Sequence, residues 1–214
     1  MAKETWKPGN MLYPLPAVLV SMREKSGKYN IITIGWAGTV CTNPPMVSIS
    51  VRPGRYSFPI LQETKEFVIN LTTRNLVYAT DYCGVKSGRE VDKFRELGLT
   101  PVPGDQVGAP LIGESPVNIE CRVRQVMPLG SHHMFLADVL SVHADAAYMD
   151  EKHKFHLEKA EPIVYSHGAY YVCGESLGTF GFSVKKNGRG PAHGSEAAWQ
   201  TGKSGHVAES GRIN

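Results

Sequence analysis

Residues 29–51 read YNIITIGWAGTVCTNPPMVSISV. The stretch begins and ends as β-strand. IITIGW (31–36) is a run of β-branched and apolar residues. MVSISVR (46–52) alternates, with Val47, Ile49 and Val51 on one face and Ser48, Ser50 and Arg52 on the other. Between them lie small side chains, one tryptophan and the pair Pro44-Pro45. Such residues either form an irregular loop or leave the backbone bare for a ligand, since a chain without bulky side chains permits close approach. Taken alone, the stretch supports both readings.

Outward from it, AVLVSMRE (17–24) reads as a strand, and a turn around KSGK makes 17–36 a hairpin whose loop contains Gly27. FVINL (67–71) is a short buried strand. VNIECRVR (117–124) alternates, placing Val117, Ile119, Cys121 and Val123 inward and Asn118, Glu120, Arg122 and Arg124 outward. HHMFLADVLSVHAD (132–145) is apolar on both faces, as a central strand is. PIVYSHGAYYV (162–172) is the last strand, broken near Gly168.

Helices are short and few. One is expected over 58–65, with Ser57 as N-cap and Pro59 in the first turn, and a second over 75–86. A third follows a capping box, Ser87-Gly-Arg-Glu90, with Val91, Phe94 and Leu97 on one face and Gly98 as C-cap. Strands that do not alternate with crossover helices exclude a βαβ array. The expected class is mainly β, a barrel or curled antiparallel sheet with a few short helices.

A chain of 214 residues is long enough for one well-cored domain. Residues 1–184 are expected to form it, because 185–214 lack periodicity, are rich in Gly, Ser and Ala, and read as a flexible or partner-wrapping tail. That tail holds five Lys/Arg and two Asp/Glu, so the whole net charge of +3 resides there and the body is balanced. The body therefore offers no basic surface for nucleic acid. No apolar run approaches the roughly eighteen residues of a membrane helix, and MAKETWKPGN lacks a secretory h-region. A cytoplasmic protein is expected. Its four cysteines, 41, 83, 121 and 173, form no CxxC pair and are read as reduced thiols.

VRPGRYSFPI (51–60) joins a strand end, a turn, two arginines and a helix start, the ingredients of an anion site. An ordinary turn with solvated arginines fits the spacing as well. CGVKSGREVDK offers Lys86, Arg89 and Lys93 beside Ser87, again with a solvated helix start as the plainer alternative. His132 and His133 enter a strand on opposite faces, so they do not share one pocket. His153-x-x-His156 shares a helical face but has no third ligand at useful spacing, and no metal site is expected. TGKS (201–204) lacks the glycine of a P-loop, and Gly174, Gly178 and Gly181 are not spaced as a dinucleotide fingerprint. No Ser-His-Asp or Cys-His arrangement is legible.

In order along the chain, N-I-I-T-I-G-W-A-G-T-V-C-T-N-P-P-M-V-S-I-S-V, R-Y-S-F-P-I-L-Q-E-T-K-E-F-V-I-N-L, C-G-V-K-S-G-R-E-V-D-K-F, G-S-H-H-M-F-L-A-D-V and Y-S-H-G-A-Y-Y resemble the flavin reductase-like, FMN-binding split-barrel family, most closely its flavoredoxin branch. The resemblance spans roughly residues 11–184. It implies an antiparallel, Greek-key type split β-barrel that forms a homodimer and holds FMN near the subunit interface. It places Thr33, Gly35, Trp36 and Ala37 against the flavin, and Cys41 and Thr42 near the ring or ribityl chain. Arg55 and Ser57 become phosphate ligands, Asn70, Ser87 and Lys93 further contacts, and His132 faces the ring or the reductant. Relatives often carry Ser in place of Gly35 and of Cys41.

The implied activity is that of an FMN-dependent oxidoreductase, in which NADH or NADPH reduces the flavin and a small molecule or a protein accepts the electrons. The alternative is a flavoredoxin-type FMN electron carrier without nicotinamide turnover of its own. A barrel that has lost its flavin and serves as a binding module is the third reading.

Overall fold

The computed structural model describes residues 2–184. After β1 (Leu15–Pro16), β2 (Val18–Arg23) and β3 (Tyr29–Ile34) form the expected hairpin, in register from Val18 opposite Ile34 to Arg23 opposite Tyr29. Gly27, at φ +92°, supplies the left-handed residue of its loop. The quoted stretch then yields a strand that alternation did not reveal, β4 (Ala37–Cys41), before β5 (Met46–Val51). β4 is AGTVC, an exposed edge strand paired only with β5, so it carries little apolar signal.

Next come α1 (Ser57–Thr64), β6 (Glu66–Asn70), α2 (Val77–Val85) and α3 (Lys93–Leu97). The two-residue strands β7 (Pro101–Val102) and β8 (Leu111–Ile112) precede the long pair β9 (Val117–Pro128) and β10 (His133–Ala144). β11 (Ile163–Ser166) and β12 (Ala169–Val172) end the series. They form a hairpin turned by His167 and Gly168, both at positive φ, which is the break expected near Gly168.

Seven strands make one antiparallel sheet in the order β3-β2-β6-β9-β10-β5-β4. β3 and β4 stand at its opposite edges, yet only Gly35 and Trp36 separate them in sequence. Laid flat, the edges of such a sheet would lie roughly 29 Å apart. The chain from Ile34 to Ala37 spans at most about 11 Å. The sheet therefore curls until its edges meet, and the Gly35-Trp36 link is the seam. Inside the curl, Val20, Ile32, Ile49, Phe67 and Phe135 pack in one cluster with Phe58 and Leu61 of α1. On the outer face of β2 and β3, Leu19 and Ile31 pack with Leu76, Ala79, Cys83 and Phe94 from the α2–α3 region.

Three local expectations are corrected. Ser57 is the first residue of α1, not its cap; Tyr56 holds that position with no side-chain cap bond, and the Ser57 hydroxyl is drawn inward by Asn30. Ser87 caps no helix. It accepts from the Arg89 amide in a turn, while Asp92 caps α3 through the Arg95 amide, because the aspartate lies next to the first helical residue. Gly98 is the left-handed C-cap, as its position predicts.

Asn118 and Glu120 are the third correction, since both are buried. Residues 104–112 cover that face of β9, and the Glu120 carboxylate accepts from the amides of Asp105, Gln106 and Val107 and pairs with His143 at 2.6 Å. Burial raises this carboxyl's pKa, but the His143 bond and the three amides outweigh it and leave it below the usual range.

The chain divides into two compact units after Cys173. The described part of the second unit, 174–184, holds only a short 3-10 turn and exposes Leu177, Phe180 and Val184, too little to extend a core. The expected tail at 185–214, with TGKS, lies outside the described residues. Within the described residues no helix is long and apolar enough to cross a membrane.

Candidate functional site

The seam opens onto a cleft. A lobe of about 320 Å³ is lined by Ile32 to Trp36, Ser50, Val51, Arg52, Arg55 and His132. A second lobe of about 150 Å³ is lined by Gly54 to Ser57, Cys83, Lys86 to Gly88 and Lys93. Ile32 and Arg55 line both, so the two adjoin.

The lobes differ in chemistry. The smaller one has Arg55, Lys86 and Lys93 in its wall and, among the described residues, no carboxylate. By contrast, the hollow at Arg23 and Lys25 also contains Glu24 and Glu66, and the one under Tyr78 contains Glu114 and no cation. Lys93 is buried, and its ammonium donates to the carbonyls of Ile31 and Cys83 at 2.7 and 2.9 Å. Burial pushes its pKa down, the Cys83 thiol opposes that, and Arg55 adds to it. Burial raises the Cys83 thiol to about 11, so the thiol stays protonated. Tyr56, at the N-cap of α1, makes no side-chain cap bond, and the Phe58 amide donates to the Arg55 carbonyl at 3.0 Å.

The larger lobe is bounded by the chain at 32–36, Ser50, Val51, two arginines and the His132 ring. The His132 ring meets Trp36 edge-on, centroids 4.5 Å apart. Arg52 Nε donates to His132 Nε2 at 3.4 Å, and Nδ1 lies 2.9 Å from the Ser131 hydroxyl. Burial, then the Arg52 charge, holds His132 below its ordinary pKa, so the imidazole is neutral at pH 7. His133 points to the other face and packs on Phe58. Thr33 donates its hydroxyl to the Thr80 carbonyl at 2.5 Å, fastening β3 to α2.

Thr33, Gly35, Trp36, Arg55, Ser57, Ser87, Lys93 and His132 are thus brought together around one cleft. Ala37 lies beside it and packs against the core. Cys41 and Thr42 lie at the far end of β4 and do not line it. Asn70 is buried elsewhere. It donates to the Leu19 carbonyl and the Ser21 hydroxyl and accepts from the Ile112 amide and Asn118, a network that joins β2, β6, β8 and β9.

Asn30, Arg52 and Lys86 were not singled out as ligands by the family resemblance. Asn30 carries a readable signal, a polar residue on the strand face that also presents Ile32 and Ile34 to the core. His156, from the His153-x-x-His156 pair, is held by Asp150 and Glu158 at 2.9 and 2.7 Å. Asp105, Glu120 and His143 also cluster, their ligand atoms all within 4.8 Å of one another, but Glu120 is already hydrogen-bonded along both oxygens.

Residues 11–174 match the family described as flavin reductase like domain. An uncharacterized protein of Aquifex aeolicus is 30% identical over 167 residues, 76% of this chain and 85% of its own. Among solved structures, flavoredoxin of Desulfovibrio vulgaris (Miyazaki F) superposes with a TM-score of 0.80 at 31% identity, covering 86% of this chain and all of that one. The flavoredoxin from Methanosarcina acetivorans gives 0.76 at 28% identity, over 84% and 96% of the two chains. The curled antiparallel sheet closed at Gly35-Trp36 is a split β-barrel, and the chain belongs to the flavin reductase-like domain family, close to its flavoredoxins.

Proposed function

We propose that this cleft binds FMN and that the protein is an FMN-dependent oxidoreductase. One observation carries the reading: a lobe walled by Arg55, Lys86 and Lys93, with no carboxylate among the described residues, adjoins a larger lobe lined by the chain at 32–36, Val51 and the His132 ring. The first suits a phosphate dianion and the second a flat heterocycle. The larger lobe's 320 Å³ falls within the range of small-molecule sites. Bound there, FMN would supply a two-electron acceptor for a hydride from NADH or NADPH and a donor to a further small molecule or protein.

This chain's residues bind and orient. Arg55, Ser57 and Lys93 hold the anionic end, with Ser87 and Lys86 at its rim. Thr33 to Trp36 offer main-chain groups to the heterocycle. His132, neutral and fixed by Arg52 and Ser131, borders the open side where a reductant enters. Hydride transfer demands no dedicated acid or base, in keeping with a larger lobe whose described lining holds one imidazole and no carboxylate, thiol or lysine.

A homodimer belongs to the same reading. Trp36 in the seam and Val40 on the edge strand β4 are exposed in the single chain, apolar surface that a second copy would cover. Residues 1–184 as one flavin-binding domain, with a separate tail, is proposed likewise.

The carrier alternative is favoured by the 31% identity to a flavoredoxin. Purified protein titrated with FMN tests the first step, and Arg55→Ala combined with Ser57→Ala is expected to weaken FMN at least tenfold. Anaerobic mixing with NADH and NADPH separates the two activities. Rapid bleaching of the flavin supports the reductase, and its absence leaves the carrier. A protein that takes up no FMN refutes both.

A further inference from the structure

We propose that Asn30 is a positioning residue for the phosphate end of the cleft, fixing the Ser57 hydroxyl as a donor to the bound anion. The inference rests on the FMN reading above. Asn30 lies on the face of β3 that carries Ile32 and Ile34 into the core, and it is 3% exposed. A polar side chain on that face requires a partner. It has one: Asn30 Nδ2 donates to Ser57 Oγ at 2.9 Å.

The direction of that bond is the point. An amide nitrogen only donates, so the serine oxygen accepts, and its own hydrogen turns elsewhere. Ser57 lines the lobe shared with Arg55 and Lys93, where a phosphate oxygen accepts that hydrogen. The other end of the amide braces the opposite wall. A Cβ added to Gly88 would stand 2.1 Å from Asn30 Oδ1 and 2.9 Å from Tyr56 Cδ1, so the carbonyl oxygen lies against bare backbone of the Ser87-Gly88 wall. The carboxamide is thus held from behind while its nitrogen sets the donor on α1.

Asn30→Asp tests this with nearly unchanged shape. The new carboxylate accepts from Ser57, turns its hydrogen away from the lobe and adds negative charge behind it. FMN and riboflavin, which differ by the phosphate, are titrated at pH 8 into the wild type and the variant. FMN is expected to weaken at least tenfold and riboflavin less than twofold. Because a buried carboxylate can compromise folding, Asn30→Ala, Ser57→Ala and the double variant form a second arm. If Asn30 acts through Ser57, its loss adds less than twofold once Ser57 is gone.

Equal losses of FMN and riboflavin, an unchanged FMN affinity, or fully additive effects in the second arm overturn the proposal. A wild type that binds FMN no better than riboflavin refutes the phosphate assignment itself. A wild type that prefers FMN, with variants that keep the preference, refutes only the role of Asn30.

Discussion

The Lys93 ammonium donates to the Ile31 carbonyl at 2.7 Å, tying the start of α3 to the back of β3. The Cys83 carbonyl takes a second of its three hydrogens. Neither partner is anionic, so the buried charge has no protein counter-ion in these bonds, and the remaining donor suits a phosphate. Lys93→Met keeps the bulk and loses the charge. Losing one charge-assisted bond of about 1.5–3 kcal/mol predicts FMN affinity lower by roughly 10- to 100-fold, with riboflavin much less affected. Isothermal titration of both ligands checks this.

The same lysine sets a pH dependence. Its native pKa is lowered, so the free protein sheds this buried proton before the unfolded chain does. Stability rises as pH climbs from the native Lys93 value toward the ordinary value of about 10.4. Phosphate binding favours the charged form, so FMN affinity falls over the same window. Riboflavin affinity measured in parallel should stay flat there.

Two glycines of the cleft differ in what they tolerate. A Cβ on Gly88 meets Asn30 Oδ1 at 2.1 Å, whereas one on Gly35 meets nothing nearer than Leu15 Cδ1 at 3.6 Å, an ordinary contact. Gly88→Ala is expected to cost about 1–3 kcal/mol and to weaken FMN. Gly35→Ser is expected to change stability by no more than about 0.5 kcal/mol. Chemical denaturation of the two variants makes the comparison.

Glu120→Gln keeps the volume but places an amide NH2 among donors from Asp105, Gln106 and Val107. Unfolding free energy is expected to fall by about 2–3 kcal/mol. In thermal melts that corresponds to a drop of roughly 5–10 °C. Because the native pKa of Glu120 is depressed, its contribution is full above the unfolded value of about 4.3. It disappears as pH falls through the native one. The variant's deficit should therefore shrink in acid.

His132 should titrate below about 6.5 by NMR. Arg52→Gln removes the smaller cause and is expected to raise the pKa only part of the way. Burial, the larger cause, remains. A full return to the ordinary value would show that the Arg52 charge, and not the enclosure beside Trp36, governs this imidazole.

β5 was legible by alternation, through Val47, Ile49 and Val51, and β2 by its apolar run, since Val18 to Met22 are all buried. β4 was not, because Gly38, Thr39 and Val40 all face out and nothing alternates. Glu120 and Asn118 misled for the opposite reason. Their polar face is covered by residues 104–112, which lie just ahead of β9 without a periodic signal and bring their own donors to Glu120. Ser87-x-x-Glu90 has the spacing of a capping box, but local spacing does not say which of two nearby acceptors a helix start will use, and Asp92 is the closer. Arg55, Ser57 and His132 were readable only together with the order of the motifs around them. Lys93 and Cys83 show why: their meeting depends on how α2 and α3 dock on β3.

The barrel seam also constrains how this sequence can change over evolutionary time. Since Gly35 and Trp36 alone carry the chain from one rim of the sheet to the other, an inserted or deleted residue there would turn every side chain of β4 to the opposite face or pull the rims apart. Room beside Gly35 means that side chains in the link can drift. In this segment the fold fixes the number of residues more tightly than the identity of the first.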